Sequence, residues 1–333
     1  MTHDPSPSTH FYIFVTRELP GDAVERLRSA AQVEVWPNPE PPPREELLRR
    51  AAGADALLTL LTDRIDAALL DAAPRLRIVS NMAVGYDNID LKAASARGVL
   101  VSNTPGVLTE TTADFAFALL LAAARRVVEG DRLARGGGWR TWHPSFLLGQ
   151  DVHGATLGIV GLGAIGQAIA RRARGFDMSL LYVDRQRRAE LEAELEARFV
   201  PLETLLRESD FVSLHVPLTA ETRHLIGHRE LSLMKPSAIL INTSRGGVVD
   251  QTALYQALAS RAIAGAGLDV AEAEPVPAGD PLLDLDNLTL TPHVGSASVA
   301  TRARMADMAA DAILCVLRGE RPANLVNPGA APR

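Results

Sequence analysis

One short stretch constrains this chain more than any other. Gly161, Leu162, Gly163, Ala164, Ile165 and Gly166 follow the apolar run Thr156 to Val160 and stand at the mouth of a helix expected over Ala164 to Arg174. A strand that enters a glycine-rich turn and leaves as a helix is the first half of a βαβ unit. In such a turn Gly161 permits the tight bend, Gly163 lets backbone amides approach a pyrophosphate, and Gly166 lets helix and strand pack closely. An acidic residue, Asp184, closes the next strand-like run 18 residues beyond Gly166, where a dinucleotide would place a ribose hydroxyl. A glycine-rich turn with no ligand is the bland alternative. The strand before it, the helix after it and the acid beyond it weigh against that.

The rest of the chain repeats this alternation. Strand-like runs Ser179 to Val183, Phe211 to Leu214, Ala238 to Asn242, Gly265 to Leu268 and Leu288 to Thr291 follow, with helices between them. Ahead of the turn, strands are expected over Phe11 to Val15, Val33 to Trp36, Ala56 to Leu60 and Arg77 to Ser80. Helices are expected over Asp22 to Ala31, Arg44 to Ala52 and Asp66 to Ala73. Alternation of this kind builds parallel sheets covered by helices, and 333 residues at roughly 150 per domain make two of them. The expected fold is α/β, with two doubly wound, Rossmann-like or flavodoxin-like, parallel-sheet domains separated by a cleft. The motifs put a cofactor domain at residues 104–294, inserted into a substrate domain made from 1–103 and 295–333. Two long helices, Thr109 to Glu129 and Ala297 to Leu317, would serve as spine and hinge.

Composition narrows the function classes. The chain carries 40 acidic and 34 basic residues, net charge -6, without the basic stripe that a phosphate backbone requires, which argues against nucleic acid. Its longest apolar run, Phe115 to Ala124, is about half of the ~20 residues that cross a bilayer, so no membrane span is expected. A single cysteine, Cys315, builds neither a disulfide framework nor a thiolate metal site, and only Lys92 and Lys235 could supply a Schiff-base amine. MTHDPSPSTH lacks the basic-then-apolar pattern of a secretory signal, and the expected compartment is the cytoplasm. His224 and His228 stand four apart, but no third ligand accompanies them, so they read as a surface pair and no metal is expected.

Three polar residues each follow an apolar strand of the second half: Arg245, Glu274 and His293. In a parallel sheet all three emerge at the carboxyl edge, where open α/β sheets bind ligands. An arginine there holds a carboxylate by a bidentate fork. A carboxylate beside an imidazole favours the imidazolium and suits it to act as a general acid. Together they are the set needed to reduce a 2-oxo acid, although singly each has a structural reading as a cap, a loop charge or a satisfied histidine. Asp269, also at a strand end, is open to a cofactor contact or to helix capping. Asp184 favours NAD by accepting from a ribose 2′-hydroxyl, whereas Arg185, Arg187 and Arg188 suit the 2′-phosphate of NADP. Both cofactors stay open, with the balance toward NAD.

Nearly the whole chain resembles the D-isomer-specific 2-hydroxyacid dehydrogenase family. The resemblance is carried by VGYDNID from Val84, NTPGVLTETTADFAFALLL from Asn103, GIVGLGAIGQAIARRA from Gly158, SDFVSLHVPLTAETRHLIG from Ser209, INTSRGGVVD from Ile241, GAGLDVAEAEP from Gly265 and TPHVGSAS from Thr291. WRTWHP from Trp139, LYQALAS from Leu254 and AEPVPAGDPL from Ala273 resemble its glyoxylate/hydroxypyruvate reductase branch. The resemblance implies that Arg245 binds the substrate carboxylate and carbonyl, that His293 donates the proton and that Glu274 orients and charges His293. It further implies substrate contacts from the amides around Val84 and Gly85 and from Ser296, cofactor contacts from Thr109 and Thr243, and a homodimer in which Trp142 reaches the partner's site. Ala164 departs from the arginine frequent in the family, which touches only a side-chain contact because the backbone amide does the cradling. The expected activity is NAD(P)H-dependent reduction of glyoxylate and hydroxypyruvate to glycolate and D-glycerate. The alternatives are an NAD(H)-sensing corepressor-like binding protein, or the same scaffold acting on formate or phosphite.

Overall fold

The computed structural model describes residues 11–331, so the opening MTHDPSPSTH lies outside the described residues. The chain divides into two compact units, Met1–Leu108 with Ala297–Arg333, and Thr109–Ser296. In the first, β1 (Tyr12–Val15), α1 (Ala23–Arg28), β2 (Gln32–Val35), α2 (Arg44–Ala51), β3 (Ala56–Thr59), α3 (Ala67–Ala72), β4 (Ile78–Asn81), α4 (Leu91–Ala96) and β5 (Leu100–Ser102) alternate along the chain. All five strands are parallel, in the order β2-β1-β3-β4-β5. Asp66 and Asp90 cap α3 and α4 by accepting from Leu69 N and Ala93 N, satisfying donors that the first helical turn leaves open.

The second unit begins with α5 (Thr109–Ala124) and α6 (Val127–Arg135) and continues with β6 (Thr156–Val160), α7 (Ala164–Arg174), β7 (Ser179–Val183), α8 (Ala189–Leu195), β8 (Ala197–Phe199) and α9 (Leu202–Glu208). It ends with β9 (Phe211–Leu214), α10 (His228–Leu233), β10 (Ile239–Asn242), α11 (Gln251–Ala259), β11 (Gly265–Leu268) and β12 (Leu288–Leu290). Seven parallel strands run β12-β11-β10-β9-β6-β7-β8, so the winding reverses between β6 and β9. The strands are near-continuous apolar runs because helices cover both faces. Leu157, Ile159, Tyr182 and Phe211 pack with Ala116, Leu120 and Ala168 under one face, while Val160, Val212, Leu240 and Leu268 pack with Leu205, Leu254 and Leu258 under the other. The last helix, α12 (Val299–Leu317), is capped by Ser298 and packs on α1, β3 and β4 of the first unit; Ser80 Oγ donates to Ala309 O at 2.8 Å.

The two-sheet α/β fold expected from the alternation is present. One expectation fails: Thr109 to Glu129 is not a single helix. It breaks after Ala124, where Arg126 takes φ +55° and the Ala124 carbonyl accepts from Gln150 N at 2.9 Å. Gly149 passes so close that a Cβ there would lie 2.3 Å from Ala124 O. A returning loop thus occupies the ground the next helical turn would need. The short elements α4, β5 and β8 have no counterpart among those expected from the sequence.

Candidate active site

The phosphate turn is built as its sequence requires. Gly161 has φ +95°, open to glycine without strain, and a Cβ there would meet Val216 Cγ1 at 2.8 Å and His215 O at 3.0 Å. A Cβ on Gly166 would lie 2.2 Å from Gly161 O, so only glycine lets α7 start this close to β6. Around Gly163 a Cβ would meet nothing within 4 Å. No side chain caps α7, which leaves its first-turn amides, those of Ala164, Ile165 and Gly166, at the positive end of the helix dipole without a capping side chain. Thr243 Oγ1 is buried with no hydrogen-bond partner among the described residues, an orphan hydroxyl that suits a ligand group. These features fit a nicotinamide dinucleotide. Thr109 is partly buried and opens α5 in the same unit.

At the end of β7, Asp184 accepts from Leu162 N at 3.0 Å and from Arg185 N at 2.7 Å, which holds its carboxylate against the turn. The neighbouring arginines divide. Arg187 grips Glu192 through two hydrogen bonds of 2.8 and 2.7 Å, and Tyr182 Oη donates to the same carboxylate at 2.8 Å. The Arg187 guanidinium, then the Tyr182 hydroxyl, pull Glu192 down to about 2. Arg188 lies 3.9 Å from Glu190, while the exposed Arg185 makes no ion pair within 4 Å among the described residues.

Further along the same edge, a relay of short polar contacts shapes the loops after β10, β11 and β12. Buried Asn242, the last residue of β10, donates to Arg245 O at 2.9 Å and accepts from Ser244 N and Oγ at 3.0 and 2.8 Å, folding the turn that presents Arg245. Gly246 then presses on the Ala271 peptide so tightly that a Cβ would fall 1.9 Å from its carbonyl. That contact brings the Arg245 loop onto the segment leading to Glu274. Glu274 Oε1 accepts from Ala271 N at 3.1 Å, and Oε2 lies 2.6 Å from His293 Nδ1. Burial pushes the Glu274 carboxyl up, but the hydrogen bond and charge of His293, the Ala271 N–H and the charge of Arg245 outweigh it and hold it below its ordinary value. An ionised carboxylate only accepts, so Nδ1 carries the donated hydrogen and Nε2 is the position left for a transferable proton.

Asp269 is 1% exposed, and its whole carboxylate is spent on the loop that carries His293. It accepts from Thr291 Oγ1 at 2.6 Å, Val294 N at 2.9 Å and Gly295 N at 2.7 Å, and its carbonyl accepts from His293 N at 2.9 Å. His293 sits in the left-handed region at φ +56°, which this grip enforces. Ser296 follows on the same loop, partly buried. Arg245, Glu274, His293, Asp269 and Ser296 therefore gather at the carboxyl edge of one sheet. Val84 and Gly85 lie in the other unit, in the loop after β4, and Trp142 is 78% exposed on the loop after α6.

Sequence reasoning missed Asn242, Gly246 and His215. The signal for the first two was the glycine pair after Arg245 and the small polar residue closing β10. His215 follows β9 directly, beside Gly161; its Nε2 lies 2.9 Å from Ser213 Oγ, and burial holds its imidazole at about 4, so it stays neutral. His224 pairs with Glu272 at 2.6 Å, and no cluster of metal-binding side chains occurs among the described residues. An opening of about 1020 Å³ lies at the opposite, amino edge of the sheet. Its cations Arg174, Arg198, Arg207 and Lys235 are each paired with an acid, so it carries no comparable chemistry.

Comparison with known proteins agrees with this geometry. The sequence model described as D-isomer specific 2-hydroxyacid dehydrogenase, NAD binding domain, matches residues 117–295. A glyoxylate reductase of Korarchaeum cryptofilum is 59% identical over 316 residues, 95% of each chain. A solved protein of Thermus thermophilus superposes with a TM-score of 0.90 at 50% identity, covering 95% of this chain and 100% of that one. The NADPH-dependent glyoxylate/hydroxypyruvate reductase of Sinorhizobium meliloti, solved with NADP and malonate, has a TM-score of 0.85 at 34% identity, over 98% and 99% of the two chains.

Proposed function

Since the chain belongs to the D-isomer specific 2-hydroxyacid dehydrogenase family, we propose that it reduces small 2-oxo acids with NADH or NADPH, glyoxylate and hydroxypyruvate first, to glycolate and D-glycerate. The observation that carries this reading is the 2.6 Å His293–Glu274 pair beside Arg245, at the ligand edge of a dinucleotide-binding sheet. The bound nicotinamide supplies the hydride. Arg245 holds the substrate's carboxylate and carbonyl oxygen and stabilises the negative charge that develops on that oxygen. His293 delivers the proton from Nε2 to the same oxygen, while Glu274 keeps the ring oriented through Nδ1 and balances its charge. Val84 and Gly85 offer backbone amides to a carboxylate, and Ser296 a hydroxyl. Steady-state kcat/KM for glyoxylate, hydroxypyruvate and pyruvate, each with NADH and NADPH, tests the reading. A preference for phosphorylated or aromatic oxo acids, or no turnover with bound cofactor, would remove it; the latter outcome is the one a nucleotide-sensing protein gives.

Glu274→Gln tests the pairing. Glutamine keeps the shape but not the charge, so the proton-carrying form of the imidazole loses its partner. The rate of glyoxylate reduction then falls by about tenfold or more at neutral pH, with NADH affinity unchanged; a kcat close to wild type removes Glu274 from this role.

For the cofactor, the balance falls toward NADH. Asp184 is anchored where it accepts from a ribose diol, and of the arginines beside it Arg187 is committed to Glu192. Asp184→Ser is expected to move the NADPH-to-NADH ratio of kcat/KM upward by about tenfold or more, since it removes a charge that repels a 2′-phosphate and leaves Arg185 to attract one. Fluorescence titration of both dinucleotides gives the same comparison without turnover.

The assembly follows from exposed apolar surface. Val127, Trp139, Trp142, Phe146 and Leu148 are between 43% and 78% exposed within α6 and the loop behind it. Such a cluster is costly in water and suits a second copy of the chain. Light scattering is expected to give twice the 35.6 kDa chain mass, and Trp142→Glu with Phe146→Glu a monomer. No helix among the described residues is long and apolar enough to cross a membrane, and we assign the enzyme to the cytoplasm, where reduced nicotinamide cofactors are regenerated.

A further inference from the structure

In the loop after β4 three consecutive peptide units are held by their carbonyls. Thr104 N donates to Ala83 O at 2.9 Å, Asn103 Nδ2 to Val84 O at 2.8 Å and Asn81 Nδ2 to Gly85 O at 2.9 Å. In a trans peptide the N–H points opposite to its C=O. Anchoring these carbonyls therefore turns the N–H groups of Val84, Gly85 and Tyr86 away from the anchors, and none of the three has an acceptor among the described residues. Successive amides left open in this manner form a concave anion site.

The anchors are themselves fixed. Asn81 is fully buried, and its Oδ1 accepts from Thr59 Oγ1 at 3.1 Å, which leaves only Nδ2 to face Gly85 O. Asn103 is 8% exposed, and its backbone is clasped by Asn324, whose carbonyl accepts from Asn103 N at 3.3 Å and whose Nδ2 donates to Asn103 O at 2.5 Å. Asn88 adds a brace, donating to Leu60 O and Asp63 O at 3.1 and 2.9 Å.

We propose that Asn81 and Asn103 are positioning residues for substrate: by gripping the Gly85 and Val84 carbonyls they aim a row of three amides, Tyr86 N–H included, at the carboxylate of a 2-oxo acid. The proposal rests on the reductase reading and adds to it two residues that touch neither substrate nor cofactor, and a third amide.

An isosteric carboxylate cannot donate, so Asn81→Asp or Asn103→Asp releases a carbonyl and unaims the amide behind it. In either variant the KM for glyoxylate and the inhibition constant of oxamate, a carboxylate-bearing analogue, rise about tenfold or more, while kcat stays within about threefold and NADH affinity by fluorescence is unchanged. Unchanged KM and oxamate inhibition overturn the proposal, as does a matched loss of kcat, NADH affinity and melting temperature. An independent measurement needs no variant of the anchors. The chain has only 4 tyrosines, so 15N-tyrosine labelling gives a sparse amide spectrum, with the Tyr86 signal assigned through Tyr86→Phe. Oxamate added to the NADH-loaded enzyme shifts the Tyr86 amide if the row binds the carboxylate; a stationary Tyr86 signal in an enzyme that turns over glyoxylate overturns the proposal. Failure of the wild-type chain to reduce any 2-oxo acid would instead strike the reductase reading.

Discussion

His293→Ala lowers kcat for glyoxylate reduction by about 10³-fold at neutral pH, within the 10²–10⁴ range that a positioned general acid contributes, and leaves NADH affinity intact. The second half of that expectation comes from where the histidine is held. Its backbone is secured by Asp269 O and its ring by Glu274, on a loop separate from the Gly161–Gly166 turn. Truncating the ring opens no gap in the sheet core, because His293 lies beyond β12 and is not among the buried core residues. His293→Gln keeps a donor at similar reach but has no ionisable proton; a kcat close to wild type in that variant would show that proton transfer is not the residue's contribution. Rates and NADH titrations on the same samples decide the matter.

Arg245→Ala has the larger expected effect on kcat/KM, about 10⁴-fold, because two losses combine. One is the stabilisation of developing charge on the carbonyl oxygen, for which removal of a single donor costs about 10²–10³ in kcat. The other is the charge-assisted, bidentate grip on the carboxylate, which appears in KM. Arg245→Lys recovers little, since a point charge on a flexible stem does not reproduce the fork. The turn supporting Arg245 is formed by Asn242 and by the contact of Gly246 on Ala271; the guanidinium adds one bond to it, from Nη1 to Ser244 O at 2.8 Å, so the variants keep the main supports of the loop and lose that one. A lysine variant with more than about a tenth of wild-type kcat/KM would reduce the role of Arg245 to charge alone.

Much of the site was legible along the chain because it is local. The Gly161, Gly163 and Gly166 spacing, with Asp184 closing the next strand, encodes a turn closed mostly within one βαβ unit, where Gly166 packs on Gly161 and Asp184 accepts from Leu162 N. Arg245, Glu274 and His293 were found by a topological rule: in a parallel sheet every strand end faces the same edge, so residues 245, 274 and 293 meet despite their separation. The rule reached the residues but not their supports. Asp269 was open to cofactor contact or capping, and in the fold its carboxylate is consumed by Thr291, Val294 and Gly295. The expected helix Thr109 to Glu129 failed for a related reason. Its sequence keeps helical propensity past Ala124, but Gly149 and Gln150 return to claim that helix end, and a contact from 25 residues away leaves no periodic trace.

The division between what could be read and what had to be seen follows the range of the interactions. Apolar runs of strand length, helix caps such as Asp66 and Asp250, and the glycines of the phosphate turn act over a few residues, so the amino-acid order already carries the fold class, the cofactor type and the polar residues that stand at the carboxyl edge of the second sheet. Which hydrogen bond each polar group finally makes depends on partners far off in the chain. Arg187 reads along the chain as able to serve a phosphate, but in the fold Glu192, itself held by the Tyr182 hydroxyl, takes it. The asparagines at 81, 103 and 324 carry no motif of their own until β4, β5 and the segment after α12 come together and hold a loop by its carbonyls. A buried polar group must find a partner somewhere, and only the folded chain says where.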